Sequence, residues 1–146
     1  MFTYLSIYTD GGSRGNPGPA AYGFVIRHGE TIIHQSGKTI GIATNNVAEY
    51  SGILEALSWI FQNLSFDKQD RESQGEISGI HCYMDSQLAC RQLQGVYKIK
   101  QPHLFAFIIK IREMEKKLHV PITYHHIPRE KNKEADRLVN AALDGK

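Results

Sequence analysis

The apolar pattern of this chain first changes period between Ala43 and Tyr50, from two to about 3.6, and that change limits its architecture more than any other feature. Upstream, Phe2 to Thr9, Ala20 to His28 and Thr31 to Ile40 are three β-rich runs, the last two joined by the turn His28-Gly29-Glu30. Downstream, Tyr50, Ile53, Leu57, Ile60, Phe61 and Leu64 recur at helical spacing, with Thr44, Asn45 or Asn46 available as the N-cap. The expected start is an antiparallel meander covered by a helix of about five turns. Ser65 to Gly79 is polar and charged and is expected to be a surface loop, with no role assigned to it. Beyond it, Ile80 to Met84 reads as a fourth strand, and Asp85-Ser86 caps a short helix through Leu93. Gln101 to Leu118 is a long helix, Pro121 to His125 a fifth strand, and Asn132 to Leu143 a terminal helix capped by Asn132. This order predicts an α/β fold with one mixed sheet and helices on its faces.

The chain has 146 residues, 41% of them hydrophobic. At that length one core buries roughly 70% of the unfolded surface, so residues 1–146 are expected to form a single domain. A formal charge of +2 announces neither a nucleic-acid nor a membrane partner. Cys82 and Cys90 form no CxxC pair and suit buried thiols in a reducing compartment. No apolar run approaches the roughly 20 residues of a membrane helix. Met1 to Ser6 lacks the basic start of a signal peptide, so a cytoplasmic location is expected.

Four acids stand where solvation alone would not put them. At roughly 100° per residue, Glu49 lies about 40° from Ile53 and about 20° from Ile60, inside the apolar arc, whereas Glu55 falls on the polar side. A carboxylate there is costly unless something pairs with it, although an acid near a helix N-terminus also suits the macrodipole. Asp10 is expected to end the first strand, and Asp85 ends the fourth; ligand sites in such sheets form beyond strand carboxyl ends. Each also suits a turn or an N-cap. Asp136 falls in the first turn of the last helix. Together, carboxylates without a Cys or His cluster describe an oxygen-rich site for Mg²⁺ or Mn²⁺. Two such ions can clamp the attacking and leaving oxygens of a phosphodiester. The stretch Gly11 to Gly18 lacks the GK[ST] ending of a P-loop, and no G-x-S-x-G elbow occurs.

The segments carrying these acids run Tyr8-Thr9-Asp10-Gly11-Gly12-Ser13-Arg14-Gly15-Asn16-Pro17-Gly18-Pro19, Thr44-Asn45-Asn46-Val47-Ala48-Glu49-Tyr50, Met84-Asp85-Ser86-Gln87 and His126-Ile127-Pro128-Arg129-Glu130-Lys131-Asn132-Lys133-Glu134-Ala135-Asp136. In this order the chain resembles type 1 ribonuclease H over nearly its whole length. The resemblance implies the ribonuclease H-like fold, a five-stranded mixed sheet of order 3-2-1-4-5 with only the second strand antiparallel. It implies endonucleolytic cleavage of the RNA strand of an RNA–DNA hybrid, leaving 3′-hydroxyl and 5′-phosphate ends, by a monomer holding two Mg²⁺ ions. Asp10 would bridge both ions, Asp136 would complete the site serving the attacking water, and Glu49 and Asp85 would hold the ion at the departing 3′-oxygen. His126 would assist proton transfer or product release from a mobile loop. Its neighbour His125 is assigned to the strand end.

By the same resemblance, Asn16, Asn46 and Gln87 would read the RNA 2′-hydroxyls, with Gly11 and its loop giving close backbone approach. Thr44 would contact a DNA-strand phosphate, or serve only as the helix cap. The chain departs from the well-studied bacterial pattern by lacking a basic, tryptophan-rich protrusion after the short helix, and so looks like the compact members. Between Arg91 and Lys117 seven basic residues face two acids, and Lys98 and Lys100 are the substrate-binding candidates there. Two other readings are a hybrid-binding module without chemistry and a transposase- or integrase-type DNA phosphoryl transferase. The four acids oppose the first, and Asn16, Asn46 and Gln87 oppose the second.

Overall fold

The computed structural model describes residues 3–64 and 77–146. Strands β1 (Thr3–Ser13), β2 (Gly18–His28), β3 (Thr31–Ala43), β4 (Ile77–Met84) and β5 (Ile122–His126) form one sheet in the order β3-β2-β1-β4-β5. The β1–β2 and β2–β3 ladders are antiparallel, and β1–β4 and β4–β5 are parallel, so β2 alone runs against the rest. The expected topology is the one observed.

Helices α1 (Asn45–Asn63), α2 (Gln87–Leu93), α3 (Pro102–Leu118) and α4 (Lys133–Leu143) surround the sheet. Alternation along β1 buries Leu5, Ile7 and Thr9, and the two aliphatic side chains enter a core with Ile53, Leu57 and Ile60 of α1 and Ile108, Ile111 and Leu118 of α3. The other face carries α4 across β2 and β3. A Cβ on Gly23 of β2 would stand 2.6 Å from the Ala135 carbonyl oxygen of α4, so glycine lets the helix lie directly on the strand. With helices on both faces, Ala20 through Ile26 are all buried. Of the three cap candidates Thr44, Asn45 and Asn46, it is Thr44 that caps α1, its Oγ1 accepting from the Val47 N–H at 3.3 Å, and Ser86 caps α2 through Ala89.

Several boundaries differ from the sequence reading. β1 continues past Asp10 because Asp10 through Ser13 pair with Gly23 through Ala20, so Gly11 and Gly12 are strand residues. β4 begins at Ile77, which moves residues 77–79 out of the expected 65–79 loop; residues 65–76, and Phe2, lie outside the described residues. Phe61 shares the helical spacing of the inner face of α1 but is 43% exposed, and the Lys117 ammonium sits 5.7 Å from its ring centroid. Cys82 and Cys90 are buried and unbridged, and burial pushes both thiols up, which makes them inert. Among the described residues no helix is long and apolar enough to cross a membrane.

Candidate active site

The β1–β4 ladder ends on the pair Thr9–Met84, so Asp10 and Asp85 each follow the last paired residue of adjacent parallel strands. α1 supplies the third acid. Gly11 lets that helix come close: an added Cβ would lie 2.3 Å from the Ala48 carbonyl carbon and the Glu49 nitrogen. The close approach expected of Gly11 toward a substrate is therefore made, first of all, toward α1. As a result one carboxylate oxygen from each of Asp10, Glu49 and Asp85 lies within 4.8 Å of the others.

Protein contacts leave this cluster under-satisfied. Asp10 and Glu49 are both buried to 7% exposure, and Glu49 Oε2 has no hydrogen-bond partner among the described residues. Burial, then Asp85 and Asp136, push the Asp10 carboxyl up to about 7, against a hydrogen bond from the Gly11 N–H at 2.9 Å. Burial likewise raises Glu49, with Asp10 and Asp85 adding to it and the Arg129 guanidinium opposing them. Three convergent carboxylates, one with a buried free oxygen, fit a hard divalent cation coordinated by oxygen. Such an ion would supply the charge that these acids lack.

Asp136, in the first turn of α4, lines the same cleft, and its charge adds to the upward shift of Asp10. The cleft wall also includes Gly11, Gly12, Ser13, Arg14, Asn45, Asn46, Ser86, Arg129 and Asn140. Asn16 stands just outside, its Oδ1 accepting from the Asn45 N–H at 3.1 Å, which leaves its amide N–H groups for another partner. Gln87 is exposed at the first position of α2. Lys98 and Lys100 line a separate surface hollow with Leu88, Val96 and Tyr97, and are not brought to the carboxylates.

His126 is not on a loop. It is the last residue of β5, paired with Met84, and the next N–H, of Ile127, donates to the Met84 carbonyl at 2.9 Å. It is exposed beside the strand end that leads into Asp85. His125 belongs to β5 as expected, and its Nε2 lies 3.1 Å from His81 Nδ1 and 2.8 Å from Thr123 Oγ1. Asn132 is a site residue that sequence reasoning misses. Buried to 1% exposure, it does not cap α4 with its side chain; its Nδ2 donates to the Thr9 carbonyl at 2.8 Å and to Asp85 Oδ2 at 3.3 Å. It thereby ties the start of α4 to both acid-bearing strand ends. Arg129, in the 3₁₀ turn Arg129–Lys131, is a second cleft residue that the sequence does not single out.

A mixed sheet of this order, with acids gathered beyond its central parallel pair, defines the ribonuclease H-like fold. The family model described as Reverse transcriptase-like matches residues 8–142. Ribonuclease HI of Halobacterium salinarum is 41% identical over 138 residues, 94% of this chain and 63% of that protein. The bifunctional protein Rv2228c of Mycobacterium tuberculosis is 38% identical over 140 residues, 94% of this chain; the chain spans only 35% of its length. Among solved structures, LC11-RNase H1 in complex with an RNA/DNA hybrid superposes with a TM-score of 0.84 at 42% identity, covering 97% of both chains. The chain belongs to the type 1 ribonuclease H family.

Proposed function

We propose that residues 1–146 act as one catalytic domain, monomeric and cytoplasmic, that hydrolyses the RNA strand of RNA–DNA hybrids. The observation that carries this reading is the buried Asp10–Glu49–Asp85 cluster with its unpartnered Glu49 oxygen. The solved complex of a 42% identical relative with an RNA/DNA hybrid supports the substrate.

In this reading Asp10 would serve both of two Mg²⁺ or Mn²⁺ ions, Glu49 and Asp85 would hold the one at the leaving side, and Asp136 would complete the site of the other. When bound, such a pair lowers the pKa of the attacking water and stabilises the departing 3′-oxygen, giving 3′-hydroxyl and 5′-phosphate ends. Asn132 holds the Asp85 carboxylate toward the cluster through its Nδ2. His126 takes or returns a proton at the strand end. Asn16, Asn46 and Gln87 offer amide groups to the 2′-hydroxyls in the minor groove, with Gly11 of β1 and the bend that follows the strand beside them. The Thr44 oxygen accepts from Val47 in the cap, so its O–H is left to donate to a phosphate of the DNA strand. Lys98 and Lys100 add charge farther along the duplex.

The test is cleavage of an end-labelled RNA–DNA hybrid in Mg²⁺, Mn²⁺ or EDTA, with duplex DNA and duplex RNA as controls. RNA-strand cleavage that needs the metal and spares both controls is expected. Absence of metal-dependent cleavage of the hybrid refutes the enzyme reading, and cleavage of duplex DNA instead favours the transposase-like alternative.

A further inference from the structure

The cleft must admit a polyanion past four carboxylates, and among the described residues of its wall the basic ones are Arg14 and Arg129. Two divalent ions would neutralise the acids, after which these guanidinium groups leave the cleft net positive. Arg14 comes from the bend after β1, whose backbone is firmly held. Its N–H donates to the Pro19 carbonyl at 2.8 Å, and the Ser13 hydroxyl reaches the carbonyls of Gly15, Gly18 and Ala43. The Ser13 N–H in turn donates to Asn45 Oδ1 at 2.8 Å, which fastens the bend to the start of α1.

The Arg14 side chain, by contrast, is held by one exposed partner among the described residues. Its Nη2 lies 2.7 Å from Oδ1 of Asp144, with the two side chains 48% and 44% exposed. Asp144 comes directly after α4, where the helix carbonyls already carry partial negative charge, so this acid gains nothing from its own helix. An ion pair this exposed is weak and screened by salt. A backbone phosphodiester offers Arg14 the same fork geometry and the same single charge as a carboxylate, without the repulsion that Asp144 feels from its own helix end, so it can replace Asp144 without moving the loop backbone.

We propose that Arg14 contacts a backbone phosphate of the strand entering the carboxylate cleft, and that Asp144 is its resting partner, exchanged for that phosphate when the hybrid binds. The proposal rests on the hybrid reading above. Its reach differs from that of Lys98 and Lys100, because Arg14 lines the cleft itself.

The experiment measures binding of a fluorescein-labelled RNA–DNA hybrid by anisotropy over a range of salt concentrations in Ca²⁺, a cation that oxygen-rich carboxylate sites accept, with the RNA strand checked for integrity afterwards. Wild type, Arg14→Ala, Arg14→Lys and Asp144→Asn are compared, and melting temperatures are recorded alongside. Arg14→Ala is expected to bind several-fold more weakly, with a salt slope reduced by about 0.9, the contribution of one phosphate contact. Arg14→Lys should keep the slope, and Asp144→Asn should bind more tightly than wild type. If Arg14→Ala and Asp144→Asn change only the melting temperature, the pair is a structural latch and the proposal is overturned. Weaker binding by Asp144→Asn overturns the exchange. A wild type that neither binds nor cleaves the hybrid instead overturns the hybrid reading, and Arg14 with it.

Discussion

Two clusters of polar side chains stand on or beside β1, β4 and β5, and the fold treats them in opposite ways. His81, Thr123 and His125 satisfy one another, with all three mutual contacts between 2.8 and 3.1 Å, and their rings pack against Tyr4 and Tyr83. Asp10, Glu49 and Asp85 are brought equally close, yet two are buried and Glu49 Oε2 has no partner among the described residues. The facing atoms of the histidine cluster find partners within the fold, whereas the acid cluster offers a set of oxygens that could hold a cation from outside. A site is marked here less by how many polar groups converge than by what the fold leaves unpaired.

The largest effect should come from removing the charge that two strand ends share. Asp10→Asn is expected to lower hybrid cleavage by about a thousandfold or more, since metal-assisted charge stabilisation is worth several kcal/mol. Its circular dichroism should match wild type, because the amide relieves like-charge repulsion rather than opening a cavity. An active Asp10→Asn enzyme would break the contrast between the clusters.

The second effect is a pH dependence of opposite sign in the two clusters. The Asp10 carboxyl is raised from 3.8 to about 7 in the fold, so between these values the unfolded chain carries fewer protons than the native one. In EDTA, stability should therefore fall by a few kcal/mol as pH rises through that window, and Asp10→Asn should shrink the fall, leaving the part that buried Glu49 contributes. Burial, then His81, lower His125 from 6.5, so its contribution is lost as pH drops below that value. Denaturant unfolding at several pH values measures both. His125→Phe should flatten the acid side by a smaller amount and leave cleavage unchanged.

The smallest effect belongs to the basic segment remote from the acids. Lys98→Ala with Lys100→Ala should weaken hybrid binding and lower its salt slope by at most about two units, with the metal response unaltered. An unchanged slope in an anisotropy titration would remove that face from the substrate path.

Much of the acid cluster is legible in the amino-acid sequence. The helical wheel places Glu49 inward because its neighbours in the arc, Ile53 and Ile60, are fully buried. Strand ends place Asp10 and Asp85 side by side because the β1–β4 ladder is parallel. The features that sequence misplaces have physical reasons. Gly11 and Gly12 look like turn residues, but β2 pairs with them and α1 needs the space that Gly11 leaves. Ser78 and Gly79 look like loop for the same compositional reason and belong to β4, where a Cβ on Gly79 would stand 3.1 Å from the Tyr4 ring. Asn132 reads as a cap because local sequence cannot show that its side chain reaches Thr9, 123 positions away. His126 reads as loop because a strand's last residue is indistinguishable from its successors until its ladder partner, Met84, is known.

The central claim is that the fold leaves Asp10, Glu49 and Asp85 for a divalent cation to neutralise. The most direct measurement is a Mg²⁺ titration of thermal stability at about pH 8, above the raised Asp10 carboxyl, on wild type and Asp10→Asn. The account predicts a melting temperature that climbs with Mg²⁺ in wild type and stays flat in Asp10→Asn. An equal climb in both proteins, or none in wild type, would contradict it.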